Sequence, residues 1–180
     1  MQRFAKLYDS LDSTTKTNQK ITAIIRYLEG CPPKDAAWGL YFLCGSRFKR
    51  SVSHKSLRLW AAEATGLSPW LFEECYATVG DLAETIALLV QNLPHQATPV
   101  AERSLASLAE QVVQPLKEKS EAEQQQVVLS LWSTFRGTEL FLINKMLTGA
   151  LRVGVSRKLV AKAVGKMTGI SEAELAHRLM

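Results

Sequence analysis

The sequence predicts an all-α chain, on three observations. Apolar residues recur at helical spacing along nearly its whole length, as in Ile21, Ile24, Ile25 and Leu28, or Leu105, Leu108, Ala109 and Val112. Helix start and stop signals punctuate the periodic stretches. No convincing strand pair and no Asn-Gly or Asp-Gly hairpin turn interrupts them.

Taken in order, the signals predict helices over about 3–11, 16–29, 34–44, 54–65, 69–77, 81–91, 99–118, 121–136, 138–148, 156–168 and 172–180. Gly30 and Gly45 close the second and third, and Gly66 the fourth. Ser68-Pro69 and Thr98-Pro99 each place a cap residue before a proline at the first helical position. Asp81-x-x-Glu84, Ser120-x-x-Glu123 and Ser171-x-x-Glu174 are capping-box patterns, in which side-chain oxygens take the unpaired amides of a first turn. Gly137 and Gly169 separate the last periodic stretches.

Composition bounds the class. The 180 residues are 47% apolar and 22% charged, with six prolines and ten glycines, which excludes disorder and collagen-like repeats. No apolar run approaches the ~20 residues of a membrane span, and no apolar secretory core follows the first charges. The expectation is a monomer without membrane contact. Cys31, Cys44 and Cys75 form no Cys-x-x-Cys pair and read as reduced core thiols of a cytosolic chain.

Charge is segregated. Residues 45–58 (GSRFKRSVSHKSLR) hold five basic side chains and no acidic one. Residues 140–171 hold six, Lys145, Arg152, Arg157, Lys158, Lys162 and Lys166, again with no acidic one. The two windows carry +11 against a net charge of +5, leaving −6 on the rest of the chain. Cations that merely solvate a helix are usually accompanied by carboxylates, so the pattern points to a polyanion-binding face.

The chain also repeats itself. Glu63–Ser68 (EATGLS) matches Lys166–Ser171 (KMTGIS) at an offset of 103, which also pairs Val52-Ser53 with Val155-Ser156 and Phe72 with Leu175. An offset of 104 pairs Gly45 with Gly149, Leu43 with Leu147 and Leu28 with Trp132. The expected organisation is two similar multi-helix lobes, about 14–77 and 119–180, related by a pseudo-twofold axis, with a seam near 91–99 (QNLPHQATP).

Each basic window then occupies the same place in its copy, after Gly45 or Gly149 and into the next helix start. Helix N-termini present unpaired amides at the positive end of the dipole and suit phosphate. Double-stranded DNA, itself locally twofold, is the natural ligand, held by phosphate and sugar contacts; no helix carries Asn, Gln and Arg on one face for base readout. The candidate contacts are Gly45, Arg47, Lys49, Arg50, Ser53 and Lys55 in the first copy, and Gly149, Arg152, Gly154, Ser156, Arg157 and Lys158 in the second. Thr14, Thr15, Lys16 and Asn18 add a further phosphate contact at an early helix start.

Catalytic constellations are missing. The sequence has no phosphate loop, no Gly-x-Ser-x-Gly elbow and no His-Glu-x-x-His. His54, His95 and His177 are scattered, which argues against a metal site. Trp38, Tyr41, Phe42, Trp60, Trp70, Phe72, Trp132, Phe135 and Phe141 read as core. Phe48, among Arg47, Lys49 and Arg50, either meets the ligand or anchors its loop.

Thr14–Lys20 (TTKTNQK), Ala64-Thr-Gly66, Val79–Glu84 (VGDLAE) and Leu147–Ser156 (LTGALRVGVS) together resemble the N-terminal DNA-binding domain of bacterial-type ATP-dependent DNA ligases. The resemblance covers nearly the whole chain, and Leu-Arg-Val-Gly-Val is its most specific part. It implies an all-helical domain with internal pseudo-twofold symmetry that holds double-stranded or nicked DNA across the minor groove and helps the catalytic domains close, in DNA repair, replication or recombination, in the bacterial cytosol or nucleoid. The family's adenylated lysine lies in Lys-x-Asp-Gly, which is absent here; the nearest string, Lys34-Asp-Ala-Ala37, lacks its spacing and its glycine. The resemblance therefore implies a non-catalytic piece ending near the start of the catalytic domain, with no cofactor of its own, whose parent uses ATP and Mg2+. Two other readings stand beside it: a helical protein–protein interaction domain whose basic loops meet an acidic partner, and a stand-alone architectural DNA binder. Incubating the chain with labelled ATP and magnesium is expected to leave no covalent AMP on it; stoichiometric labelling would place a nucleophile elsewhere in the sequence.

Overall fold

The computed structural model describes residues 1–93 and 103–178, and every regular element among them is helical. In chain order these are α1 Gln2–Asp12, α2 Thr17–Glu29, α3 Pro33–Leu43, α4 His54–Thr65, α5 Pro69–Val79, α6 Leu82–Val90, α7 from Leu105, α8 Glu121–Thr134, α9 Gly137–Thr148, α10 Arg157–Thr168 and α11 Glu172–Arg178. The all-α class is as the sequence predicts, and most ends fall within two residues of expectation. The exception is α7, expected as one helix over 99–118. After one α-helical turn at Leu105–Ser107 it widens to a π turn at Leu108–Val113 and tightens to a 3-10 turn at Gln114–Glu118. Pro115 has no amide hydrogen and crowds the carbonyl four residues back, so a regular ladder cannot pass it. The Thr98-Pro99 start signal, His95 and most of the expected seam at 91–99 lie outside the described residues.

Start signals work unevenly. Ser120 and Glu123 form a complete capping box on α8, with the Ser120 amide donating to Glu123 Oε2 at 2.9 Å. Asp81 Oδ1 accepts the Glu84 amide at 3.0 Å, and Ser171 Oγ accepts the Glu174 amide at 3.3 Å. Ser68 stands at the N-cap of α5 without a side-chain cap bond, so Pro69 alone marks that start.

The chain divides into two compact units. One gathers Met1–Arg47, Ser104–Ala106 and the chain from Leu151 onward; the other holds Phe48–Arg103 and Ser107–Ala150. In the first, α2 packs against both α1 and α10, with α11 on α10. Phe4, Leu7 and Leu11 of α1 and Ile21, Ile24 and Leu28 of α2 are buried, and the Phe4 ring lies 6.0 Å from Tyr27 and 5.8 Å from Phe42. Fully burying a side chain of this size contributes roughly 1.5–3 kcal/mol. Asp35 Oδ1 accepts the Ala106 amide at 2.9 Å, tying 104–106 to α3.

In the second unit α6 lies along α9, and α4 packs on α6, α5 and α8. Its interior includes a polar pair. Trp132 Nε1 donates to Asn144 Oδ1 at 2.9 Å, Asn144 Nδ2 donates to the Ala83 carbonyl at 3.4 Å, and Asn144 is fully buried. Asn144→Leu is expected to destabilise the chain by about 1–3 kcal/mol, because it leaves the buried indole N–H unpaired; a urea midpoint equal to the parent's would contradict this.

The loop before α4 is fixed onto the end of α9. The Ser51 amide donates to the Leu147 carbonyl at 3.1 Å, and His54 hydrogen-bonds the Thr148 backbone. His54 Nε2 is buried with no hydrogen-bond partner. Burial, then the nearby Arg50 and Arg58 charges, hold the imidazole below its ordinary value of 6.5, outweighing the Thr148 bond. A lowered histidine value means that the unfolded chain takes up the proton first. The contribution is therefore intact above 6.5 and is lost as pH falls below it. Stability measured between neutral and mildly acidic pH is expected to fall for the parent and to fall less for His54→Gln; identical slopes would remove His54 as the cause.

Candidate nucleic-acid interface

The chain passes from the first unit to the second between Arg47 and Phe48, and returns between Ala150 and Leu151. Both basic windows straddle a crossing, so each unit receives candidate residues from both.

In the first unit, the loop 151–156 leads into α10. Leu151 and Val153 are buried, whereas Arg152 and Gly154 between them are exposed, so the alternation turns the arginine outward. Ser156 caps α10, its Oγ accepting the Leu159 amide at 3.2 Å, and Arg157 and Lys158 are exposed on the first turn. Lys20 of α2 donates from Nζ to the Gly154 carbonyl at 3.3 Å, which draws the start of α2 to this loop. Lys16 is the N-cap of α2, and Thr15 and Asn18 are exposed beside it. Thr14 is committed locally, donating to Gln19 Oε1 and accepting the Lys16 amide at 3.2 Å. Gly45 and Arg47 are exposed after α3, where Tyr41 donates from its hydroxyl to the Arg47 carbonyl at 3.1 Å.

Arg157 has a structural bond as well. Its Nε donates to the Cys44 carbonyl at 2.7 Å, fixing the end of α3 to the start of α10. Burial pushes the Cys44 thiol above its ordinary value, partly offset by the Arg157 charge, so this cysteine stays a neutral core group. Gly154 is left-handed, at φ +67°. A β-branched residue there is strained whatever touches the loop, so such a substitution lowers stability too and cannot by itself report on contact with a ligand.

In the second unit, Lys49, Arg50 and Lys55 are exposed around the start of α4, and Phe48 is half-buried. Ser53 Oγ accepts the Ser56 amide at 3.0 Å. Gly149 is left-handed at φ +68°, and a Cβ on it would stand 2.8 Å from the Phe48 carbonyl oxygen and 3.0 Å from the Arg50 amide nitrogen. Here glycine is required twice over, by its own backbone and by the one packed against it.

Stretches free of acidic residues in sequence are not all free of them in space. Lys145 pairs with Asp81, and Arg58 pairs with Glu73 at 3.2 Å and lies over the Tyr76 ring. Burial raises the Asp81 carboxyl, but its hydrogen bonds from Lys145 and the Glu84 amide outweigh this and hold it below the usual range. Two of the eleven window cations are thus satisfied internally. Among the described residues, no carboxylate pairs with Arg47, Lys49, Arg50, Lys55, Arg152, Arg157 or Lys158.

The remaining expectations sort as follows. Trp70 is 68% exposed and Tyr41 39%, so neither is a core residue; Trp70 sits on the first turn of α5, outside the packed face that Phe72 occupies. Cys31 and Cys75 are half-buried, Cys44 is buried, and all three are free thiols. Among the described residues no three His, Cys, Asp or Glu side chains gather to hold a metal ion, and no helix is long and apolar enough to cross a membrane. Lys20 lies outside both basic windows, so charge clustering does not single it out, although it stands one turn after Lys16.

Over 97% of its length the chain is 23% identical to a protein described as "Probable DNA ligase" from Koribacter versatilis (strain Ellin345), and it spans 31% of that relative's length. Residues 1–177 match the family described as DNA ligase N terminus, and the chain belongs to that family.

Proposed function

We propose that this chain is the non-catalytic domain by which an ATP-dependent DNA ligase holds duplex or nicked DNA, meeting the phosphate backbone and the minor groove while the parent's other domains seal the nick. The observation that carries this reading is the set of exposed cations without carboxylate partners around two serine-capped helix starts, α4 and α10. Local geometry supports an internal repeat. Both helices have 12 residues, a serine cap bonded to the amide three residues on, and a left-handed glycine at the end. Unpaired first-turn amides beside Arg and Lys suit phosphate oxygens without reading bases.

On this reading the parent enzyme joins a 5′-phosphate to a 3′-hydroxyl in repair, replication or recombination, with ATP and Mg2+ bound by other domains. The chain itself works as a monomer in the bacterial cytosol or nucleoid, and its partners are the DNA and those domains.

The test is binding to labelled duplex DNA at several salt concentrations. With about 4–6 phosphates engaged, log K is expected to fall with log salt at a slope near −4 to −5, with little dependence on sequence. Arg152→Ala/Lys158→Ala and Lys49→Ala/Arg50→Ala are each expected to weaken binding and to shallow the slope by about 2. Arg157 is kept in both variants because of its bond to Cys44. A flat salt response in the parent would overturn the reading and favour an interaction domain for an acidic protein; two variants that bind like the parent would remove these cations from it.

A further inference from the structure

The first unit carries a second basic surface, outside both windows. A groove of about 510 Å³ runs between α1 and α2. Arg3 and Lys6 enter it from α1 and Arg26 from α2, with Ser10 and the Tyr27 ring in its lining. Arg3 and Lys6 are three residues apart and share a helix face. All three cations are exposed, and among the described residues no carboxylate is paired with any of them. Asp9 also lines the groove, so its charged groups sum to +2.

The Arg3 Nη1 lies 2.5 Å from where a Cβ on Gly30 would stand, so the exposed guanidinium lies close to the backbone at the end of α2. The planar fork of an arginine matches the oxygens of a phosphate better than an ammonium does.

We infer that this α1/α2 groove is a further phosphate-binding surface for the backbone of double-stranded nucleic acid, extending the contact made by the basic windows. It rests on the proposed function. The link is α2, which has Lys16 and Lys20 at its start, where Lys20 meets the Gly154 loop, and Arg26 on its last turn. Ten residues at 1.5 Å each put Arg26 about 15 Å from Lys16 along the helix. At 3.6 residues per turn Arg26 is also turned about 80° from Lys16, so an extended polyanion that crosses α2 obliquely meets both ends, which a single anionic group does not. The groove has hydroxyl and cationic groups but no base-reading amides at its rim, as backbone contact requires.

The experiment compares the parent chain, Arg3→Ala/Lys6→Ala/Arg26→Ala and the charge-conserving Arg3→Lys/Arg26→Lys on a 30-base-pair duplex and on poly-L-glutamate, across salt. The alanine variant is expected to bind the duplex at least about fivefold more weakly, with a slope shallower by about 2–3, one phosphate being worth about 0.9. The lysine variant is expected to keep the parent's slope, which separates lost charge from lost fold. An alanine variant that matches the parent on DNA overturns the inference and leaves the proposed function standing. So does a loss confined to poly-L-glutamate, which would assign the groove to an acidic protein. A parent chain that binds no duplex at all overturns both.

Discussion

The contact on which the candidate surface of the second unit depends is the one between Gly149 and the backbone of Phe48–Arg50. A left-handed residue without a side chain ends α9 and lets another stretch of main chain come within about 3 Å of where a Cβ would be. With the bond from the Ser51 amide to Leu147, this seats residues 48–54 on the end of a helix that is itself buried along one face. Lys49 and Arg50 project from a stretch of backbone that is fixed at both of its turns. Charge on a mobile loop loses side-chain and backbone entropy when it meets phosphate, whereas charge on a seated loop has lost much of it on folding.

The same logic operates by other means in the first unit. There the loop before α10 is held by alternation, Leu151 and Val153 inward and Arg152 and Gly154 outward, and by two cations that bond to main-chain carbonyls, Lys20 to Gly154 and Arg157 to Cys44. A cation that donates one N–H to a carbonyl keeps its charge, since no carboxylate neutralises it. Positioning through carbonyls therefore preserves the positive potential that positioning through salt bridges would cancel. Lys145 and Arg58 show the contrast: each is fixed by a carboxylate, and each is lost to the surface charge.

The helices were legible because local signals agree with one another. Ser120 with Glu123, Ser53 and Ser156 act through the neighbouring turn alone, and a pattern of four residues contains all that they need. The break in α7 runs against the single helix expected over 99–118; Pro115 marks it in the sequence but not its form, since a π turn and a 3-10 turn both relieve the lost hydrogen bond. What the pattern could not contain was anything that depends on distant pairing. Acid-free windows in sequence concealed Asp81 beside Lys145, 64 residues away, and Trp70 read as core because periodicity gives the face of a helix but not how far that face is covered.

The division into units follows from the same distinction. Repeats in sequence mark stretches of like local structure, and α4 and α10 are alike in cap, length and terminus. Compactness marks which stretches exclude water together, and the first unit joins segments from both ends of the chain whereas the second is built from the stretches between them. The two properties need not coincide, because capping is decided within one turn whereas burial is decided by whichever apolar face arrives. A chain organised in this way couples the halves of its sequence. From Leu151 onward the chain belongs with the first 47 residues, and α10 packs on α2 and α3, so the cations of the second window from Arg152 onward are positioned by the start of the chain. The residues proposed to meet DNA are thus shared out by burial and not by the repeat, since each basic window gives part of its cations to each unit.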